Sequence, residues 1–398
     1  MRSPLTALHV VQPGDGGVAR VVTDVLAAQL ELGMRVAVAC PPGTQLAAAA
    51  GARGAEVHPW RADREPGPRL FAESRRVAAL VDLVRPDLVH AHSAKAGLAA
   101  RIAVRGRVPT VYQPHAWSFE AVDGVTGALA RRWERWAARW TDRVVCVSEA
   151  ERRRGEHAGV RAPWSVIHNG VDARRFATGP GRAAARAALG LPATAPLVVC
   201  VGRLCRQKGQ DTLLEAWPAV LDRVPDARLV LVGDGPEAEA LRTATAGPRT
   251  TAGPRTPRTE PWPGRPVAFA GAVADTAPWY RAADLVVQPS RWEGMALAPL
   301  EAMAAGRPVL LTDVDGARES LPPGHETHCL VRPDDPAALA GALAVLLRRP
   351  VLREALGRQA QQHVLRRFDV RRVNEALADV YREVTAAPRH ELREPISQ

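Results

Sequence analysis

The stretch from Ala283 to Glu319, ADLVVQPSRWEGMALAPLEAMAAGRPVLLTDVDGARE, is compatible with few folds. Leu285 to Gln288 is a short apolar run rich in β-branched residues and reads as a strand, and Pro289 to Glu293 is turn chemistry. Leu300 to Ala305 reads as a helix stopped by Gly306 and Pro308, and Val309 to Thr312 as the next strand. A strand, a loop, a helix and a second strand make a parallel βαβ unit, and ligands of such sheets sit beyond the carboxyl ends of the strands. The loop and the start of the helix therefore face a ligand crevice.

Two carboxylates stand there eight residues apart, Glu293 in the loop and Glu301 in the expected first helical turn. A carboxylate at that end of a helix is favoured by the dipole, and its oxygens accept the vicinal hydroxyls of a ribose or hexose. Backbone amides at the same helix start, around Gly294, Met295, Ala296 and Leu297, suit phosphate. The ordinary alternative is a pair of solvated glutamates at a helix start.

The same alternation runs through the rest of the chain and implies α/β architecture with parallel sheets. Leu5 to Val11 reads as the first strand, followed by Gly14, Gly16 and Gly17 and an amphipathic helix to about Leu32. A glycine loop opening onto a helix N-terminus is suited to a diphosphate. The letters GDGGVA also fit the dinucleotide pattern G-x-G-x-x-A, but the second strand, Arg35 to Ala39, leads into Cys40-Pro41-Pro42 and lacks the ribose-holding carboxylate of a nicotinamide site. Glu56 to His58, a helix over Leu70 to Val84, and a strand over Leu88 to His90 come next. His90, His92, Ser93 and Lys95 are expected as a polar cluster just past that strand, with His92, Ser93 and Lys95 as candidate acceptor contacts; a ligand-free loop is the alternative. Thr110 to Gln113 is the next strand, and His115 follows its carboxyl end, where an imidazole can donate to a sugar hydroxyl or share a developing charge.

Leu197 to Val201 opens a second series, with Gly202, Arg203 and Lys208 just beyond the strand. A guanidinium and an ammonium five residues apart can converge on one diphosphate. In combination, Arg203, Lys208, His115 and the E-x7-E pair, with Pro289-Ser290 before it and A-x-A-x-G-x-P-V after it, resemble the signature of glycosyltransferase family 4 (group 1), the retaining, nucleotide-sugar-dependent enzymes of the GT-B fold. That resemblance implies two doubly wound, Rossmann-like domains facing a cleft. The acceptor would be bound by the first, and the donor by the second. It implies His115, Arg203, Lys208 and Glu293 as catalytic residues. It places Gly16, Gly17, Gly202, Gly294, Met295, Ala296, Leu297 and Glu301 with them around the donor. Ala296 departs mildly from the small or glycine residues common there. The implied reaction keeps the anomeric configuration and needs no cofactor or metal, and Asp313-Val314-Asp315 is read as a loop and not as the metal-binding D-x-D of another glycosyltransferase fold.

The expected boundaries are 1–172 for the first domain and 173–368 for the second, with residues 173–196 as linker and short helix. A helix over 369–386 crosses back to the first domain, and a tail occupies 387–398. Residues 243–265 hold the hexapeptide TAGPRT twice and read as a disordered insertion. The segment 127–140, GALARRWERWAARW, reads as a helix with Trp133, Trp136 and Trp140 on a core-facing stripe, a membrane-surface helix being the rival reading.

The formal net charge is +11, but the basic residues are dispersed and 51 of the 53 are Arg. Such a bias is typical of a GC-rich, actinobacterial genome and is no argument for a nucleic-acid partner. Lys95 and Lys208 are then places where a compact ammonium is wanted. Five cysteines without metal spacing imply reduced, structural thiols and a cytoplasmic setting, and the absence of a long apolar run leaves at most a peripheral contact with the inner membrane face. The partners expected are a UDP- or GDP-sugar and a hydroxyl acceptor on a small molecule, glycan or lipid. A GT-B epimerase, a phosphorylase and a catalytically inactive partner protein are the alternatives.

Overall fold

The computed structural model describes residues 4–63, 67–245 and 265–387. The chain forms two compact units, Met1–Gly170 together with Val370–Gln398, and Val171–Asp369. Each is built on one parallel sheet with helices on both faces.

In the first unit the strands are β1 (Thr6–Val11), β2 (Arg35–Cys40), β3 (Glu56–Pro59), β4 (Leu88–His92), β5 (Thr110–Gln113), β6 (Arg143–Cys146) and β7 (Trp164–Val166). Their spatial order is β3-β2-β1-β4-β5-β6-β7. Side chains alternate between the two faces. Leu8 and Val10 of β1 join Val89, Ala91 and Tyr112 under the helices Leu70–Val84 and Ala94–Val104, while Val11, Val36, Val38 and Cys40 pack against Val22 and Leu26 of the helix Gly17–Glu31. Each fully buried Leu or Val contributes about 1.5 to 3 kcal/mol of transfer free energy, enough in sum to hold so many short strands.

The second unit has β8 (Leu197–Val201), β9 (Arg228–Val232), β10 (Val267–Gly271), β11 (Leu285–Gln288), β12 (Val309–Thr312) and β13 (Leu330–Val331), in the order β10-β9-β8-β11-β12-β13. In both sheets the chain winds outward through three strands and then returns to the other side of the first, so the strand order reverses between β1 and β4 and between β8 and β11. Chains leave those strand ends in opposite directions, which opens a crevice at each.

The structure corrects several expectations. The unit boundaries fall at 170/171 and 369/370, because Val171 donates its N–H to Phe368 O and bridges Asp369, closing the second unit on itself. The expected linker is folded into helices Ala173–Ala177 and Arg182–Ala188. Arg186 pins it by an ion pair to Asp284 at 2.6 Å and by donating to Pro192, Ala193 and Ala195 carbonyls. Of the proposed insertion, residues 243–245 complete a helix, Ala238–Thr245, and 246–264 lie outside the described residues, as does the tail from 388. The helix Val370–Ala386 belongs to the first unit and buries Leu377, Val380, Tyr381 and Val384.

The tryptophan stripe is also different. Trp136 is 42% exposed, and the residues that the helix Gly124–Ala137 buries are Gly127, Glu134 and Ala137. Glu134 forms a fully buried ion pair with Arg101 at 2.8 Å, and the Arg101 guanidinium lies over the Tyr112 ring, 3.9 Å from its centroid. A buried pair fixes a helix's rotation more firmly than apolar area does, because either partner left alone is an unpaired charge in a low-dielectric interior. Glu134→Gln should therefore lower the unfolding free energy of the first unit by about 3 kcal/mol. Urea denaturation followed by tryptophan fluorescence measures this; a loss below a tenth of that would show that the helix is seated by its apolar contacts alone.

Candidate functional site

The second unit brings four sequence-predicted groups to its switch point. Gly202 and Arg203 follow β8, and Lys208 ends the short 3-10 turn Arg206–Lys208 behind them. Across the crevice, the loop after β11 carries Glu293. The Lys208 ammonium is ion-paired with Glu293 Oε1, and Ser290 donates to the same oxygen at 2.7 Å while receiving a bond from Gln288 Nε2 at 2.9 Å. Arg203 is half-buried and, among the described residues, no carboxylate pairs with its guanidinium. One of the two cations is thus held against a carboxylate, and the other has none among the described residues.

Close backbone approach builds this crevice. A Cβ on Gly233 would stand 2.0 Å from Gly202 O, and one on Gly209, where φ is +64°, would stand 2.0 Å from Pro289 O. Only glycine lets the chain after β9 and the start of the helix Gln210–Leu221 lie against the two site loops. Arg291 then clamps them: it donates to Arg206 O and to both carboxylate oxygens of Asp211, and from Nε to Asp334 at 2.6 Å. Hydrogen bonds to Asp211 raise the Arg291 pKa above its ordinary value, so the clamp is charged at every accessible pH.

Glu301 lies on the helix Leu297–Ala304, whose N-cap is Ala296. It therefore stands in the second turn, not the first as expected, because the helix starts three residues earlier than Leu300. Its buried carboxylate accepts from Tyr280 Oη at 2.8 Å and from Thr276 Oγ1 at 3.4 Å. Gly294 and Met295 are buried, whereas Ala296 and Leu297 are partly open.

In the first unit His90 and His92 lie inside β4, fully buried, and not in a loop beyond it. Parallel register puts His9 of β1 beside His90 and His92 beside Gln113, two residues before His115. The rings meet: His9 Nδ1 is 3.0 Å from His92 Nε2, and His92 Nδ1 is 3.3 Å from His115 Nε2. Burial drives every one of these pKa values down, to about 4 for His9, to about 3 for His115, and well below the usual histidine range for His90 and His92. All four are neutral at pH 7. His115 and Ala116 both adopt positive φ, 54° and 94°. That costly conformation is held by buried Glu151, whose carboxylate accepts from Ala116 N at 2.6 Å and Val147 N at 2.7 Å. Ser93, also at positive φ, donates to Gln12 O. Lys95 is buried in an ion pair with Glu73 at 2.6 Å, so its ammonium supports the fold where an acceptor contact was expected. Gly16 caps the helix Gly17–Glu31 at φ +80° with open space around its α-carbon, which leaves both glycine amides approachable.

A family model described as Glycosyltransferase Family 4 matches residues 15–175, and one described as Glycosyl transferases group 1 matches residues 195–349. A D-inositol 3-phosphate glycosyltransferase of Streptomyces coelicolor is 31% identical over 97% of this chain and 91% of its own length. The chain belongs to glycosyltransferase family 4. The lipopolysaccharide core biosynthesis mannosyltransferase LpsB of Rhizobium meliloti is 33% identical over 64% of this chain and 70% of its own. Among solved structures, Anabaena Alr3699/HepE in complex with UDP-glucose aligns at a TM-score of 0.80 and 25% identity, covering 95% of this chain and all of that one. The fold is GT-B, two Rossmann-like domains, and the protein is a glycosyltransferase that uses a nucleotide sugar.

Three groups that shape this glycosyltransferase's site escaped the sequence reading. Glu151 was announced only by the pattern S-x-x-E at 148–151, which reads as a helix cap; Ser148 does cap the helix, while the Glu151 carboxylate turns back to the His115 turn. Arg291 has no local signal, because both its carboxylates are supplied by distant segments. His9 looked like a strand residue, and only register shows its neighbours. Among the described residues no helix is long and apolar enough to cross a membrane, and the five cysteines are buried and free.

The neutral histidines make stability depend on pH. Their folded pKa values lie below the unfolded value near 6.5, so the unfolded chain binds more protons in between. The stability they contribute is complete above about pH 6.5 and is lost as the pH falls through about 4. The thermal midpoint of the first unit should already drop between pH 6.5 and 5, above the range where ordinary carboxylates titrate; a midpoint flat across that window would show that the cluster is not held neutral.

Proposed function

We propose that this glycosyltransferase moves a hexosyl or N-acetylhexosaminyl unit from a UDP- or GDP-sugar to a hydroxyl acceptor with retention of anomeric configuration and without a metal. The observation that carries the reading is the charge arrangement at the second switch point, the Lys208–Glu293 pair together with Arg203, whose guanidinium has no carboxylate partner among the described residues. When the bond from the anomeric carbon to the diphosphate breaks, the electron pair goes to the phosphate oxygen, and the anomeric carbon becomes electron-poor. Arg203 and Lys208 stabilise the first charge and Glu293 faces the second, a fixed arrangement that favours the transition state over the ground state. Two cations held by Gly202, Gly209 and the Arg291 clamp supply the positive charge that a metal would otherwise bring. UDP-glucose in the Anabaena neighbour supports a uridine donor, and mannosyl transfer by the Rhizobium relative supports a hexose; glycan, lipid and small-molecule hydroxyls fit the acceptor role.

The two glutamates divide the donor between them. Glu301, oriented by Tyr280 and Thr276, holds the ribose hydroxyls, and Glu293 serves the transferred sugar. Glu301→Gln should weaken the bare nucleoside diphosphate by about 1 to 3 kcal/mol, whereas Glu293→Gln should leave that affinity unchanged and depress turnover. Calorimetry with UDP and GDP, together with steady-state kinetics on the full donor, tests the division; equal losses of diphosphate affinity would overturn it. Arg203→Ala should lose about two orders of magnitude in kcat/KM, and turnover in excess EDTA should match the untreated enzyme. Near-normal turnover of the variant, or loss of activity with EDTA restored by a divalent cation, would refute the metal-free reading.

A further inference from the structure

We infer that Gln29, acting through His9 and His92, fixes which nitrogen of His115 carries the proton, and so presents an unprotonated Nδ1 of His115 to the substrate. The inference rests on the proposed place of His115 beside the donor sugar and adds a positioning chain to it.

Direct ring-to-ring contacts carry the argument. A neutral imidazole has one N–H and one bare nitrogen, so a line of such rings in N···N contact can carry its protons in only two ways, all pointing one way or all the other. Both nitrogens of His9 are engaged, Nε2 with Gln29 Oε1 at 2.9 Å and Nδ1 with His92 Nε2 at 3.0 Å; His92 Nδ1 then meets His115 Nε2. The direction is set at the Gln29 end. Its amide oxygen can only accept, so His9 carries its proton on Nε2 and accepts at Nδ1. His92 must then donate from Nε2 and accept at Nδ1, and His115 must donate from Nε2. The remaining nitrogen of His115, Nδ1, is bare and can accept from a sugar hydroxyl.

The amide is itself held. Gln29 Nε2 donates to Tyr381 Oη at 3.2 Å, and the Tyr381 hydroxyl, with its lone pair so used, donates to His90 Nδ1 at 2.5 Å. Tyr381 comes from the helix Val370–Ala386 and is fully buried. Turning the amide over would reverse every proton in the line; because the Tyr381 hydroxyl can accept or donate, the direction is carried by the contact of Gln29 Oε1 with His9 Nε2. His9, His90 and His92 bring nitrogens within 4.8 Å of one another, a spacing that a metal ion could also use. The hydrogen-bonded line already satisfies both nitrogens of His9 and of His92. Burial depresses the basicity of all four rings, which keeps each with a single proton.

The test is nitrogen NMR of the full chain labelled with 15N-histidine, together with kinetics. In the wild type, His115 should show a protonated Nε2 and a bare Nδ1, and a chelator should leave the spectrum unchanged. Gln29→Met, which keeps the volume and removes the acceptor, should convert His115 to a mixture of the two tautomers. It should lower kcat about tenfold with KM little changed, because a group in the wrong tautomer keeps its place and loses its function. Tyr381→Phe keeps the ring's packing and removes the hydroxyl, and it should act in the same direction to a smaller extent; it also serves if Gln29→Met does not fold. A His115 tautomer unaltered in both variants would overturn the relay, as would a wild-type spectrum changed by chelation. His115→Ala separates the two readings: if it turns over normally, the catalytic placement of His115 fails, while the NMR result still decides whether Gln29 sets its proton.

Discussion

Parallel pairing, with the strand order reversing beside the first strand of each sheet, is the constraint on which the rest depends. β1 with β4, and β8 with β11, leave their carboxyl ends side by side while their connections diverge. Backbone groups at those ends are unpaired by the sheet, and the space above them is open to a ligand. Arg203, Glu293 and His115 stand near sheet ends for this reason, and their different chemistry is layered onto one geometric fact.

What fills the space around those strand ends is set by burial. In the second unit Gly233 and Gly209 let backbone lie on backbone behind the site loops, where any side chain would collide. The charged groups there are kept apart by role: Arg291 is saturated by Asp211 and Asp334, Lys208 is poised on Glu293, and Arg203 has no carboxylate among the described residues. The first unit uses the opposite device. Burial strips its histidines of charge, so they interact through single protons whose direction can be inherited along a line.

Membership of glycosyltransferase family 4 accounts for the motifs in both units, yet the relatives carry different names, a D-inositol 3-phosphate glycosyltransferase on one side and a lipopolysaccharide core mannosyltransferase on the other. Elements that serve only this chain's interior, such as the Arg101–Glu134 pair under Tyr112 and the Lys95–Glu73 pair, use the same residue types for stability. Lys95 shows how close the two uses lie: it sits one helical turn from the His92 strand end, and a carboxylate ten residues from Asp63 claims it for the core.

By itself the sequence determined the alternation of strands and helices, and with it both sheets, because the apolar runs are short and rich in β-branched residues and most are bounded by glycine or proline, signals that act within a few residues. It also determined that Arg203 and Lys208 follow β8 and that Glu293 follows β11, since the place of such a segment relative to its own strand is local. Only the tertiary structure decided that Lys95 belongs to Glu73, that Trp136 faces outward while Glu134 goes in, that residues 173–196 fold against Asp284, and that Glu301 lies in a second turn. It alone joined His9 to His92 and His115, and Glu151 to Ala116. The physical reason is distance along the chain: a charge or an imidazole is specified by its partner, and strand register and helix packing bring that partner from tens to hundreds of residues away.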